Sequence, residues 1–326
     1  MSKKLSKQKL NDIITYGIVI AAFVIMQILI NAGEISSLFQ GLMVPLCTYI
    51  ILAISLNLVV GILGELSLGH AGFMCVGAFT SSFFSKAMQD TITNSTVRFL
   101  LALLIGIITA AIFGIIIGIP VLRLNGDYLA IVTLAFGEII KNLVNVLFIG
   151  KDSKGFHFST KDAVSLNMEP DGKIILNGPQ GITGTPNDST FFIGFILILV
   201  TLFIVLNLIH SRDGRAIMAI RDNRIAAESI GINITKYKLM TFTISAAMAG
   251  AAGVLYAHNL SNLTANTNNF GYNMSINILV FVVLGGIGNI RGSIIAAVVL
   301  TLLPELLRGM SDYRMLIYAI VLIVMM

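Results

Sequence analysis

Charge is what this chain has least of. Of its 326 residues 11% are Asp, Glu, Lys or Arg and 56% are hydrophobic. A soluble domain carries about 25% charged residues, so a soluble globular fold is excluded. Tryptophan is absent, aromatics make up 8%, and the net charge of +5 is scattered along the sequence. No nucleic-acid partner is expected, because such binding needs clustered cations and bases stacked on aromatics. The two cysteines, Cys47 and Cys75, sit inside apolar runs without metal-ligand spacing. They read as small core residues, and no metal site is expected. The four histidines (His70, His157, His210, His258) are dispersed, which argues against a membrane-embedded enzyme with clustered His and acids; no catalytic residue is assigned. No Gly-x4-Gly-Lys-Ser/Thr pattern occurs, so the chain shows no means of hydrolysing ATP and needs no cofactor of its own.

What is present is a series of apolar runs, and a membrane span needs roughly 20 such residues. They cover 13–30, 38–63 (interrupted by Pro45), 64–84, 97–119, 128–149, 191–209, 239–256, 276–288, 294–307 and 315–326. The expected fold is therefore all-α: one polytopic transmembrane domain over 1–326 with about ten crossings. The segments 64–84 and 276–288 read as broken or re-entrant helices. Lys3, Lys4, Lys7 and Lys9 precede the first run. That run is longer than the 7–15-residue core of a signal peptide and no clear small-x-small site follows, so it reads as a retained span with the N-terminus cytoplasmic. Counting alternately from there places the long Gly/Pro-containing loop 151–190 outside and the charged loop 210–238 inside, as loops rich in Arg and Lys require.

That inner loop carries Arg212, Arg215, Arg221 and Arg224 against Asp213, Asp222 and Glu228. Asp222 is placed to cap a short helix, 223–230, containing Asn223, Ala226, Ala227 and Glu228, and Gly231 is placed to end it in a left-handed conformation. Such a capped, half-apolar helix fits a knob for a partner's groove. A charged loop that only sets topology accounts for the pattern equally well.

Two further constellations stand inside the apolar runs. Ser67, Gly69, His70 and Gly72 occupy a glycine-rich break, where freed backbone groups must be buried in protein or face water. Ser67 and His70 read as lining a translocation pathway, Gly72 and Gly77 as close packing. The run Gly61-Ile-Leu-Gly-Glu-Leu is echoed by Gly285-Gly-Ile-Gly-Asn-Ile, which includes Gly286 and Gly288. An internal repeat, common in transporters, and a chance match of six positions are both open. Glu138 lies about 16 Å along its helix from Asp127 at 1.5 Å per residue. At that depth a lone carboxylate is costly, and Lys141, three residues on, is its expected partner, for packing or for transport.

The segments Leu56-Asn-Leu-Val-Val-Gly, Leu68-Gly-His-Ala-Gly-Phe, Leu122-Arg-Leu-Asn-Gly-Asp-Tyr-Leu-Ala-Ile-Val-Thr-Leu-Ala-Phe-Gly-Glu and Gly178-Pro-Gln-Gly-Ile are similar to LivM-type permeases of branched-chain amino acid ABC transporters. So are Gly214-Arg-Ala, Ala226-Ala-Glu-Ser-Ile-Gly, Phe242-Thr-Ile-Ser-Ala-Ala-Met-Ala-Gly and Val283-Leu-Gly-Gly-Ile-Gly. The resemblance runs from about residue 38 to the end. It implies a multi-pass permease of the cytoplasmic membrane working with a second homologous permease, two ATP-binding cassette subunits that hold ATP and magnesium, and an extracytoplasmic binding protein. It also implies that the Ala226–Gly231 motif docks on the ATPase. The family's Arg-Pro-Gln-Gly tail is absent, from which a truncated C-terminus is expected, and the outer loop 151–176 looks expanded. Urea and short-amide importers use similar permeases. An ion-coupled secondary transporter is the remaining rival; it would need embedded charges, for which Glu138 is the one fair candidate.

Overall fold

The computed structural model describes residues 7–307 except 34–35, 122–123, 125 and 171, together with 313, 317, 319–320 and 323. Helices dominate in the order α1 (Lys7–Asn31), α2 (Ser37–Asn57), a π-helical segment (Leu58–Leu63), α3 (His70–Ala87), α4 (Ser95–Val121), α5 (Asp127–Val146), α6 (Phe191–His210), α7 (Arg212–Asp222), α8 (Arg224–Ser229), α9 (Ile234–Ala257), α10 (Thr267–Phe270), α11 (Tyr272–Leu284) and α12 (Ile290–Leu306). Among the described residues six helices are long and apolar enough to cross a membrane. The chain is thus a mostly helical, polytopic membrane protein. The expected last span, 315–326, falls largely outside the described residues.

Of the six candidate spans, the one over Phe39–Leu63 is almost wholly enclosed by protein and the one over Ile234–Ala257 mostly so. Around them α3, α4, α6 and α12 pack closely. Small residues make this possible. A Cβ at Gly77 would strike the backbone of Gly250, and one at Gly72 would lie 2.7 Å from Gly137 Cα. In lipid, where no hydrophobic drive separates helix from tail, such close approach of backbones is what holds helices together. Gly72 and Gly77 therefore pack.

The all-α expectation needs correction at one end. The polar segment after α5 is no featureless loop: it forms a three-stranded antiparallel sheet in the order β2-β1-β3, from Phe148–Asp152 (β1), Gly155–Ser159 (β2) and Lys173–Asn177 (β3). Two further short strands, Ile182–Thr183 (β4) and Asn262–Leu263 (β5), pair beside it. The turn between β1 and β2 is made by Asp152, whose carboxylate accepts the N–H groups of Lys154 and Gly155, the local bond that makes Asp a turn former. The expected span 128–149 correspondingly ends at Val146, and the last residues of that apolar run start the sheet. The sheet is tied to the bundle by Lys86 Nζ, which donates to the carbonyls of Ile174 (3.2 Å) and Thr183 (2.7 Å), and by Lys151 Nζ, which donates to that of Ala87 (2.8 Å). The Lys154 ammonium and the Ser153 hydroxyl hold the Glu169 carboxyl below its ordinary range, so the hold of Glu169 on the β1–β2 turn loosens only as pH falls through the carboxylate range.

Candidate functional site

At the end opposite the sheet, the charged segment folds into α7 and α8. The two helices meet at Asn223, which is extended (φ −155°, ψ 105°) and whose side chain accepts the N–H of Ala226 at 3.0 Å. Asn223 is thus the cap of α8, one residue beyond the expected Asp222. Asp222 ends α7 instead, and its Oδ1 accepts both Nε (3.2 Å) and Nη2 (3.0 Å) of Arg221. The far end of α8 is closed by a pair of bonds: Ile232 N–H donates to Ala227 O (3.1 Å) and Gly231 N–H to Glu228 O (3.0 Å). Gly231 sits at φ +87° between them, the left-handed residue such a C-cap requires.

The faces of α8 divide sharply. Ala227 is buried against Ile220 of α7 and Ile234 of α9, with Ile232 packed alongside. Ile225 and Ile230 are 81% and 74% exposed, and Ala226 and Glu228 face outward as well. Ala227 is therefore the anchor of α8 and not part of its outward surface. Isoleucines this bare on a helix held at both ends form an apolar knob ready to be covered. Arg215 lies further back on α7, exposed, with Nη1 on the His210 carbonyl at 3.3 Å.

Arg221 links this arm to the interior. Its Nη1 donates to Gly61 O at 3.0 Å, a carbonyl in the last turn of the π-helical segment, where a cation complements the negative helix end. Gly64 (φ +80°) ends that segment in a left-handed cap, and its missing side chain leaves room for Arg221, whose Cγ would stand 2.5 Å from a Cβ there. The two glycine-rich runs meet here: a Cβ at Gly61 would collide with Gly288 N and Asn57 Oδ1. Asn57 accepts the N–H of Gly288 (2.9 Å) and donates to Ser293 Oγ (2.8 Å). Gly286 and Gly288 both take positive φ (91° and 82°), while a Cβ on Gly285 would strike Gly292 and Ser293. Arg221→Ala leaves the Gly61 carbonyl without its donor and is expected to cost about 1–3 kcal/mol, read as a lower thermal midpoint of the purified protein in detergent.

The break at 64–69 buries Ser67 and Gly69, leaves Gly64 and Leu66 exposed, and is braced by hydroxyls. Thr133 Oγ1 accepts Leu68 N–H at 3.0 Å and Ser275 Oγ accepts Ala71 N–H at 3.2 Å. His70 Nε2 lies 2.6 Å from Ser55 Oγ, which itself donates to Leu52 O. A Cβ at Gly69 would strike Thr133 O. Ser67 Oγ is buried without a partner among the described residues.

Ion pairs brace the bundle at two further places. Lys141 bonds Glu138, and its Nζ also reaches Thr267 Oγ1 at 3.2 Å; the other carboxylate oxygen of Glu138 accepts Tyr272 N–H at 2.7 Å, at the start of α11. The second pair joins Glu65 in the break to Lys238 in the second turn of α9, a lysine 1% exposed. Sequence reading missed this pair. Its only trace is a charge of each sign at the edge of an apolar run.

A family described as "Branched-chain amino acid transport system / permease component" matches residues 37–326. The high-affinity branched-chain amino acid transport system permease protein LivM of Salmonella typhimurium and that of Escherichia coli are each 36% identical over 287 residues, 85% of this chain and 65% of theirs. The chain thus spans slightly under two thirds of the length of these relatives. LivH of Salmonella typhimurium is 27% identical over 78% of the chain and 79% of its own length. The fructose import permease protein FruG of Bifidobacterium longum is 27% identical over 85% and 76%. No solved structure matches.

Proposed function

The chain belongs to the permease family of branched-chain amino acid transport systems, and from that membership we propose that it is a transmembrane subunit of an ATP-driven importer for leucine, isoleucine and valine. The observation that carries the mechanism is α8, with Ile225 and Ile230 bare and Ala227 pinned to the bundle. Two ATP-binding cassette subunits bind and hydrolyse the nucleotide with its magnesium. One of them receives α8 in a groove, and its motion passes through Arg221 to the break between α2 and α3.

On this reading the α7–α8 end is cytoplasmic, as its arginines require. The sheet lies outside the cytoplasmic membrane, where a loaded binding protein docks. A second, LivH-like permease completes the path, and the N-terminus is cytoplasmic with about ten crossings in all. The meeting of Gly61 with Gly288 supports an internal repeat of helix, glycine break and returning helix. Ser67, Gly69 and His70 would line the path only in a conformation that opens the break.

FruG, named for fructose import, is a relative at similar distance to LivH, so the cargo is the part to test first. Membrane vesicles holding this chain with its partner permease, ATPases and binding protein should accumulate leucine, isoleucine and valine on ATP addition. They should not do so with a non-hydrolysable nucleotide. Uptake of urea, a short amide or a sugar in preference to leucine would overturn the cargo. Uptake driven by an ion gradient without nucleotide would overturn the mechanism.

A further inference from the structure

The outward surfaces of the helices are not alike. On α4 every exposed position from Val97 to Ile119 is aliphatic or aromatic, as a surface in contact with acyl chains demands. On α5 and α11 the pattern breaks, because Asn142 and Asn277 are both exposed. Asn277 stands five residues into α11, and α11 itself starts beside Glu138, some way inside the length of α5. At about 1.5 Å per residue Asn277 is therefore near the middle of the bundle's depth, far from either end of α5. An amide side chain turned to hydrocarbon at that depth would leave two donors and an acceptor unpaired, which lipid cannot satisfy.

The two amides belong to one stripe. Asn142 is one turn beyond Glu138 on α5, and Asn277 one turn beyond Asn273 on α11. The stripes join where Glu138 accepts the N–H of Tyr272. Behind them the Glu138 charge is paired with Lys141 and its other oxygen holds that N–H, so the exposed groups of the stripe, Asn142 and Asn277, are neutral.

We infer that the α5–α11 face meets the second permease across a water-filled path, and that Asn142 and Asn277 line this path on the side of this subunit. Uncharged amides suit a zwitterionic cargo: they can bond its carboxylate and ammonium in passing without holding either as tightly as a charge would. The inference rests on the permease reading but assigns a different part of the surface from the buried break at Ser67–His70.

Cysteine at position 142 or 277 of the assembled complex reports this directly, because a thiol reacts with a membrane-impermeant methanethiosulfonate only where water lets it ionise. The native Cys47 and Cys75 are both buried and give a low background. Asn142→Cys and Asn277→Cys should react about tenfold faster or more than Leu104→Cys and Ile108→Cys on the lipid face of α4. The two test positions lie on different helices, so loss of one variant leaves the other readable. Leucine uptake is measured in the same vesicles. Vesicles that take up leucine while both amide positions react no faster than those on α4 overturn the assignment of this face and leave the permease reading intact. Fast-reacting cysteines in vesicles that show no ATP-driven leucine uptake support the wet face and count against the proposed cargo.

Discussion

Lys238→Met is expected to destabilise the folded chain by about 3–5 kcal/mol, the cost of leaving one partner of a buried ion pair charged and alone. Glu65 is the group left behind. Its side chain is 15% exposed and that of Lys238 2%, so water can replace little of what the ammonium supplies. The damage should centre where the break between α2 and α3 meets the foot of α9, because the pair is the direct polar link between those two elements among the described residues. A lower thermal midpoint in detergent and faster proteolysis at 64–69 would be the readouts. The paired change Lys238→Met with Glu65→Leu should recover most of the loss, since an apolar pair of similar volume carries no desolvation cost. If the single variant is as stable as the parent, the pair contributes nothing and the break is held by its hydroxyls alone.

Ile225→Asp should abolish ATP-driven uptake while leaving the chain folded and in the membrane. The side chain is 81% exposed, so folding gains little from it. In a partner's groove, however, a lost apolar anchor costs about 2 kcal/mol or more, roughly thirtyfold in occupancy. Gly231→Val acts on the same helix by another route. A Cβ there meets no atom within 4 Å, yet the backbone sits at φ +87°, where a β-branched residue is strained by about 1–3 kcal/mol. The cap opens, Ile230 moves, and hydrolysis by the ATPases should continue with uptake reduced. Comparing hydrolysis with uptake in vesicles separates the two variants from simple unfolding, which would remove both together. Uptake at the parental rate in Ile225→Asp would count against α8 as the coupling element.

Legibility in the sequence followed range along the chain. Lys141 could be paired with Glu138 from spacing alone, because three residues on a helix bring side chains together whatever the fold. The cap at Gly231 was readable for the same local reason. Asp222 and Asn223 are both capping types, so the start of α8 could be misplaced by one; the extended backbone at Asn223 decided it, leaving Asp222 to hold Arg221. The pairs that fix the interior are long-range. Arg221 reaches Gly61 across 160 positions and Lys238 reaches Glu65 across 173, and no periodicity encodes such meetings. The sheet was hidden for a different reason: its strands are five residues or fewer, and β1 and β3 carry no clean alternation. The Asp152–Gly155 turn and the alternation of Phe156, His157 and Phe158 in β2 were its local signs. Exposure of Asn142 and Asn277 could not be read at all, since it depends on which helices leave α5 and α11 uncovered.

The most direct test of the mechanism is to place a photoreactive amino acid at position 225 in the intact complex and identify what it captures. Covalent capture of an ATP-binding subunit, lost when position 227 on the buried side carries the probe instead, is the predicted result. Probes at 225 and 230 that capture no ATPase subunit, in a complex that still transports, would contradict it.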